Sequence, residues 1–137
     1  MRLIKFLILF LMLASVSFAG EAVKEKKIFK ATVDKDGIQR VEVTAGEFFF
    51  DPAEIIVKVN VPVELKVKKQ PGIVPHDIVI KAPEAGVDIK ESLSKDPKVI
   101  KFTPVKTGRY PIYCSKKLLF FESHREKGME GALEVVE

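Results

Sequence analysis

Residues 108–114 read GRYPIYC and residues 123–136 read SHREKGMEGALEVV. Each stretch holds a short run suited to a strand, Arg109–Cys114 and Ala132–Val136, rich in aromatic and aliphatic residues. Thr107-Gly108 turns the chain into the first run, and Gly128 and Gly131 flank the approach to the second. The connection between them holds Cys114, His124 and Met129 in the order Cys-x9-His-x4-Met. One loop between two strands therefore offers a thiol, an imidazole and a thioether.

The same alternation extends upstream. Glu54–Val59 (EIIVKV) places Ile55, Val57 and Val59 on one face, and Val63–Lys68 (VELKVK) sets Val63, Leu65 and Val67 against Glu64, Lys66 and Lys68. A period of two with one wet face is the mark of a half-buried strand. Further strands are expected at Ile28–Val33, Gln39–Thr44, His76–Lys81 and Val99–Thr103. The turns between runs carry Pro or Gly, at Asp51-Pro52, Asn60-Val61-Pro62, Pro71-Gly72 and Asp96-Pro97. Many short strands punctuated in this way predict an all-β sandwich or barrel. The stretch Ala82–Pro97 alternates poorly and reads as a helical turn or a long loop.

The N-terminus, MRLIKFLILFLMLASVSFAG, has a basic start at Arg2 and Lys5, an apolar run from Phe6 to Ala14, and small residues at Ser17 and Ala19. It reads as a secretory signal peptide over residues 1–19. A retained membrane anchor is the alternative, and the apolar run is short for a bilayer span. Residues 20–27 are a charged, flexible lead-in, and residues 28–137 form one small domain. Export predicts a periplasmic or secreted protein with no stable membrane anchor. Removing Arg2 and Lys5 from 23 basic residues leaves 21 against 19 acidic ones. That balance gives no reason to expect a nucleic-acid partner.

A single cysteine outside the cytoplasm cannot form an internal disulfide. Cys114 is an intermolecular bridge, an unprotected thiol or a metal ligand. Coordination would remove its liability to oxidation. The chain has two histidines, His76 in VPHDIVI and His124. Taken one at a time, each residue has an ordinary explanation: His76 as a half-exposed residue at a strand start, Cys114 and Met129 as core, His124 as a solvated loop residue. Taken together, they supply two imidazoles, one thiolate and one thioether. That is the donor set of a trigonal copper site with a weak axial Met.

Four stretches carry a family resemblance: EFFFDPAEIIVKV (47–59), PHDIVI (75–80), TGRYPIYC (107–114) and SHREKGMEG (123–131). The chain resembles the cupredoxins, small Greek-key β-sandwiches that carry type 1 copper. The resemblance implies one copper, cycling between Cu(II) and Cu(I), held by His76, Cys114, His124 and Met129. It implies electron transfer with a periplasmic redox partner such as a cytochrome or respiratory complex. Copper delivery or copper resistance is the alternative. An enzyme is not expected, because multicopper oxidases and copper nitrite reductases need more than two histidines, and a dinuclear CuA centre needs a second cysteine.

The sequence departs from the family in one place. Members usually have a short spacer between the Cys and the downstream His, whereas here nine residues intervene, Ser115–Ser123, reading SKKLLFFES. Glu122 in this insert, and Glu47 upstream, become candidate oxygen ligands or partners of a histidine. Four apolar residues in a row, Leu118–Phe121, predict either a partial lid folded back on the sandwich, the favoured expectation, or an apolar docking surface.

Overall fold

Alternating side chains decide which way each strand faces. In β5 (Val63–Lys69), Val63, Leu65 and Val67 are buried while Lys66 and Lys68 are exposed. In β4 (Glu54–Lys58), Ile55 and Val57 are buried. The computed structural model describes residues 25–137; the expected signal peptide 1–19 and residues 20–24 of the lead-in lie outside the described residues. The remaining strands are β1 Ile28–Lys30, β2 Gln39–Gly46, β3 Phe49–Asp51, β6 Asp77–Ala82, β7 Val87–Ser92, β8 Lys98–Phe102, β9 Gly108–Tyr113 and β10 Glu130–Val136.

They form two sheets, one in the order β1-β4-β10-β9-β6-β7 and the other in the order β3-β2-β5-β8. Neighbours are mostly distant in sequence, so the chain crosses repeatedly from sheet to sheet. β4 runs parallel to both β1 and β10, and β2 runs parallel to β5. Val41, Val43, Leu65 and Val67 of the smaller sheet share one core with Ile55, Ile78, Ile80, Ile112 and Leu133 of the larger. The fold is the expected Greek-key β-sandwich. Gln39 is buried in it without cost to hydrogen bonding: its Nε2 donates to the carbonyls of Lys58 and Val61, and its Oε1 accepts from the Lys58 N–H at 2.7 Å.

The stretch Ala82–Pro97 holds a 3₁₀ turn, Pro83–Ala85, followed by strand β7. Its burial does alternate, with Val87 and Ile89 inside and Asp88 and Lys90 outside. The run is too short to stand out beside the preceding turn. β3 is also additional to the expected strands; it is three residues long and ends where Asp51-Pro52 adopts a cis peptide. Two boundaries bear on function. β6 begins at Asp77, leaving His76 just before it, and β9 ends at Tyr113, leaving Cys114 just after it.

Candidate metal centre

Three strand ends meet at one end of the larger sheet. His76 precedes β6, Cys114 follows β9, and Met129 precedes β10. β9 pairs with β10 through Tyr113 and Glu130, and with β6 through Tyr113 and Val79. His124 arrives from the connection, which is tied back by its own backbone. The His124 N–H donates to the Lys116 carbonyl at 2.9 Å, the Met129 N–H to the His124 carbonyl at 2.9 Å, and the Cys114 N–H to the Met129 carbonyl at 3.1 Å. Gly128, at φ 98, supplies the left-handed turn just before Met129.

The result is a triangle of donor atoms. His76 Nδ1 lies 3.2 Å from His124 Nδ1, and Cys114 Sγ lies 3.5 Å from His124 Nδ1 and 3.9 Å from His76 Nδ1. Two Nδ1–H groups cannot face each other at that distance, so at least one ring carries its proton on Nε2 and turns a lone pair inward. The residues are buried, with His76 5%, Cys114 0% and His124 6% exposed. Bonds of about 2.0 Å to nitrogen and 2.3 Å to sulfur, spread trigonally, demand about 3.5 Å between the nitrogens and 3.8 Å from sulfur to each. The observed edges match that demand within about 0.3 Å. Two imidazoles and a thiolate so arranged could hold a metal ion, and copper suits the donors.

Electrostatics keep the donors ready. Burial, the neighbouring His124 and Lys69 hold the His76 pKa below its ordinary value; burial and Lys127 do the same for His124. Both rings are thereby held neutral, the form that ligates. Burial pushes the Cys114 thiol up, which keeps it protonated until a metal cation displaces the proton.

Two residues that the sequence reading did not single out complete the surroundings. Asp77, 1% exposed, donates its backbone N–H to Cys114 Sγ at 3.4 Å. Its carboxylate accepts from the Ser115 N–H at 2.6 Å and the Ser115 hydroxyl at 2.5 Å, pinning the residue after the cysteine. Phe48 stands edge-on to both histidines, with ring centroids 5.1 Å from His124 and 6.3 Å from His76. It reaches there from a backbone position at φ 60 between β2 and β3, with the Lys127 ammonium 4.6 Å from its ring centre. Position gave a signal for Asp77, which adjoins His76; the FFF run gave none for the role of Phe48.

Met129 is fully buried in the core, and its backbone binds both Cys114 and His124. Glu47 and Glu122 are exposed and stand outside the His76–Cys114–His124 cluster. The lid expectation is corrected. Leu118, Leu119, Phe120 and Phe121 all face solvent, because the connection closes on itself through a Lys117–Ser123 bridge and turns away from the sandwich.

The model of the cupredoxin-like domain matches residues 4–129. The chain belongs to the cupredoxin-like family. The metal-binding domain of the Streptococcus pneumoniae D39 Cu(I)-exporting P-type ATPase CopA, solved with Cu(I), is 27% identical with a TM-score of 0.62, covering 82% of this cupredoxin and 99% of that chain. Dithionite-reduced auracyanin from Roseiflexus castenholzii is 20% identical with a TM-score of 0.57, over 78% of this chain and 99% of its own. The periplasmic domain of cytochrome oxidase subunit II (CoxB) from Bradyrhizobium japonicum is 20% identical at 0.51, over 77% and 88%. These last two likenesses are of fold. Among curated protein sequences, none matches this chain.

Proposed function

We propose that this cupredoxin is a periplasmic electron-transfer protein that holds one copper through His76, Cys114 and His124, with Met129 as a weak axial ligand. The observation that carries this reading is the buried triangle of two imidazole nitrogens and one sulfur at a sandwich end. Copper bound there supplies a Cu(II)/Cu(I) couple. The protein's part is to keep its donors still while charge changes. The β6 and β9 ends fix His76 and Cys114, the Asp77–Ser115 bonds lock the cysteine's neighbour, and Phe48 packs on both rings. A rigid donor set limits the reorganisation that would slow transfer. The reading of residues 1–19 as a signal peptide supports export, and a cytochrome or respiratory complex in the periplasm is the expected partner. We assign no reaction of its own to the chain.

Copper delivery is the second reading, favoured by the likeness to a domain that was solved with Cu(I) and belongs to a Cu(I)-exporting ATPase. Burial of the donors argues for the first, since handover calls for accessible, labile ligands. A redox titration of the copper-loaded protein separates them. Electron transfer predicts a reversible one-electron couple, an intense visible band and copper that resists a competing chelator. A pale protein that yields its copper rapidly would reverse the choice.

A further inference from the structure

The connection Ser115–Ser123 carries a feature that metal binding does not use. Lys117 and Ser123 form an isolated antiparallel bridge, and beyond it the Phe121 N–H donates to the Leu118 carbonyl at 3.0 Å, closing a tight turn. Leu119 takes a left-handed backbone at φ 50 within that turn. Leu118, Leu119, Phe120 and Phe121 are 65%, 76%, 85% and 52% exposed. The two phenyl rings lie beside each other with centroids 5.0 Å apart. Single apolar residues scattered on a surface are ordinary; four in succession at one protruding turn are not.

Cations stand behind this tip on both arms. Lys116 and Lys117 precede it and join no ion pair among the described residues, while Arg125, paired with Glu130 at 3.1 Å, and Lys127, placed over the Phe48 ring, follow. The acidic residues of the segment are Glu122 and Glu126, and Glu126 is turned to the Ser123 N–H at 2.6 Å. An apolar tip with a basic collar is the order met on passing from acyl chains to anionic headgroups.

We propose that the Lys117–Ser123 turn is a membrane-docking tip, which seats Leu118–Phe121 in the interface of a bilayer carrying anionic headgroups while Lys116 and Lys117 meet their phosphates. The shape favours lipid over a protein partner. A protein would need a preformed pocket for a convex tip, whereas lipid closes around any apolar protrusion. The arms of the turn lead directly to Cys114 and His124, so docking brings the metal-cluster end of the sandwich to the membrane surface. The proposal stands apart from which metal the cluster holds.

The chain has no tryptophan, so Phe120→Trp gives a single emission that reports on the tip alone, whatever the N-terminal segment does in the full chain. Vesicles of pure phosphatidylcholine and of phosphatidylcholine with phosphatidylglycerol are the probes. Docking predicts a blue-shifted emission, quenched by brominated lipid, with the anionic vesicles only. Replacing Lys116 and Lys117 by Gln in that background should weaken the response about fivefold for each lysine, and added salt should weaken it further. Leu119→Ser with Phe121→Ser should abolish it, with an unchanged thermal melt showing that the sandwich is intact. No shift with anionic vesicles, which is what an acidic protein partner would give, overturns the proposal. An equal shift with both vesicle types overturns it too, as does a response that survives the serine substitutions.

Discussion

The Nδ1 atoms of His76 and His124 stand 3.2 Å apart although the residues are 48 positions apart in the chain. The two rings cannot both be protonated at that approach inside the fold, which ties the two histidines to acid stability. Their pKa values are lowered in the folded state, so the stability they contribute is present above the unfolded histidine value and is lost as pH falls through the folded one. Asp77 adds to this at lower pH. Its burial acts upward, but the Ser115 hydrogen bonds outweigh it and hold the carboxyl below its ordinary value. The metal-free protein should therefore lose stability first as pH drops below about 6.5, and again below about 3.9. Thermal melts of metal-free protein across pH check this, and Asp77→Asn should reduce the second loss while costing about 1–3 kcal/mol at neutral pH. Glu54, Glu64, Asp36 and Glu126 share that second loss, because their partners also hold them below the ordinary carboxyl value.

Met129→Leu preserves volume and should cost less than about 1.5 kcal/mol of stability. As a weak axial donor, Met129 should govern potential more than affinity, so the variant should keep copper and shift to a higher potential through loss of a donor to Cu(II). Voltammetry and metal analysis together read this out. Loss of copper altogether would mean that the thioether is needed for affinity as well as for potential, since leucine leaves the backbone bonds to Cys114 and His124 in place.

Gly131 has no room for a side chain. A Cβ there would lie 1.8 Å from the Ala53 carbonyl oxygen, a backbone atom that cannot swing aside. Gly131→Ala should destabilise by at least about 1–3 kcal/mol, the usual range for overpacking. Because β10 starts immediately after Met129, the strain should also reach the metal cluster. Denaturant unfolding measures the first effect, and the copper spectrum the second.

The sandwich was legible because Val63–Lys69 and Glu54–Lys58 alternate cleanly between core and solvent. The short β3 and β7 were not, since a three-residue strand has almost no period and the alternation of Val87–Ser92 directly follows a Pro-Gly turn segment. His76, Cys114 and His124 could be named because the chain has so few soft donors to choose among. Phe48 could not: its contact with both rings depends on a left-handed backbone at one turn. The outward course of Leu118–Phe121 was hidden for a related reason. Hydrophobicity alone says that such residues will seek cover, and the cover need not come from the same chain.

Cys114 decides between a copper electron carrier and an unmetallated sandwich. The direct measurement is the copper content and visible absorption of the wild-type protein beside Cys114→Ser. The account predicts one copper per chain and an intense thiolate-to-copper band in the wild type, with the band gone in the variant. A band of equal intensity in Cys114→Ser, or a wild-type protein that takes up no copper, would contradict it.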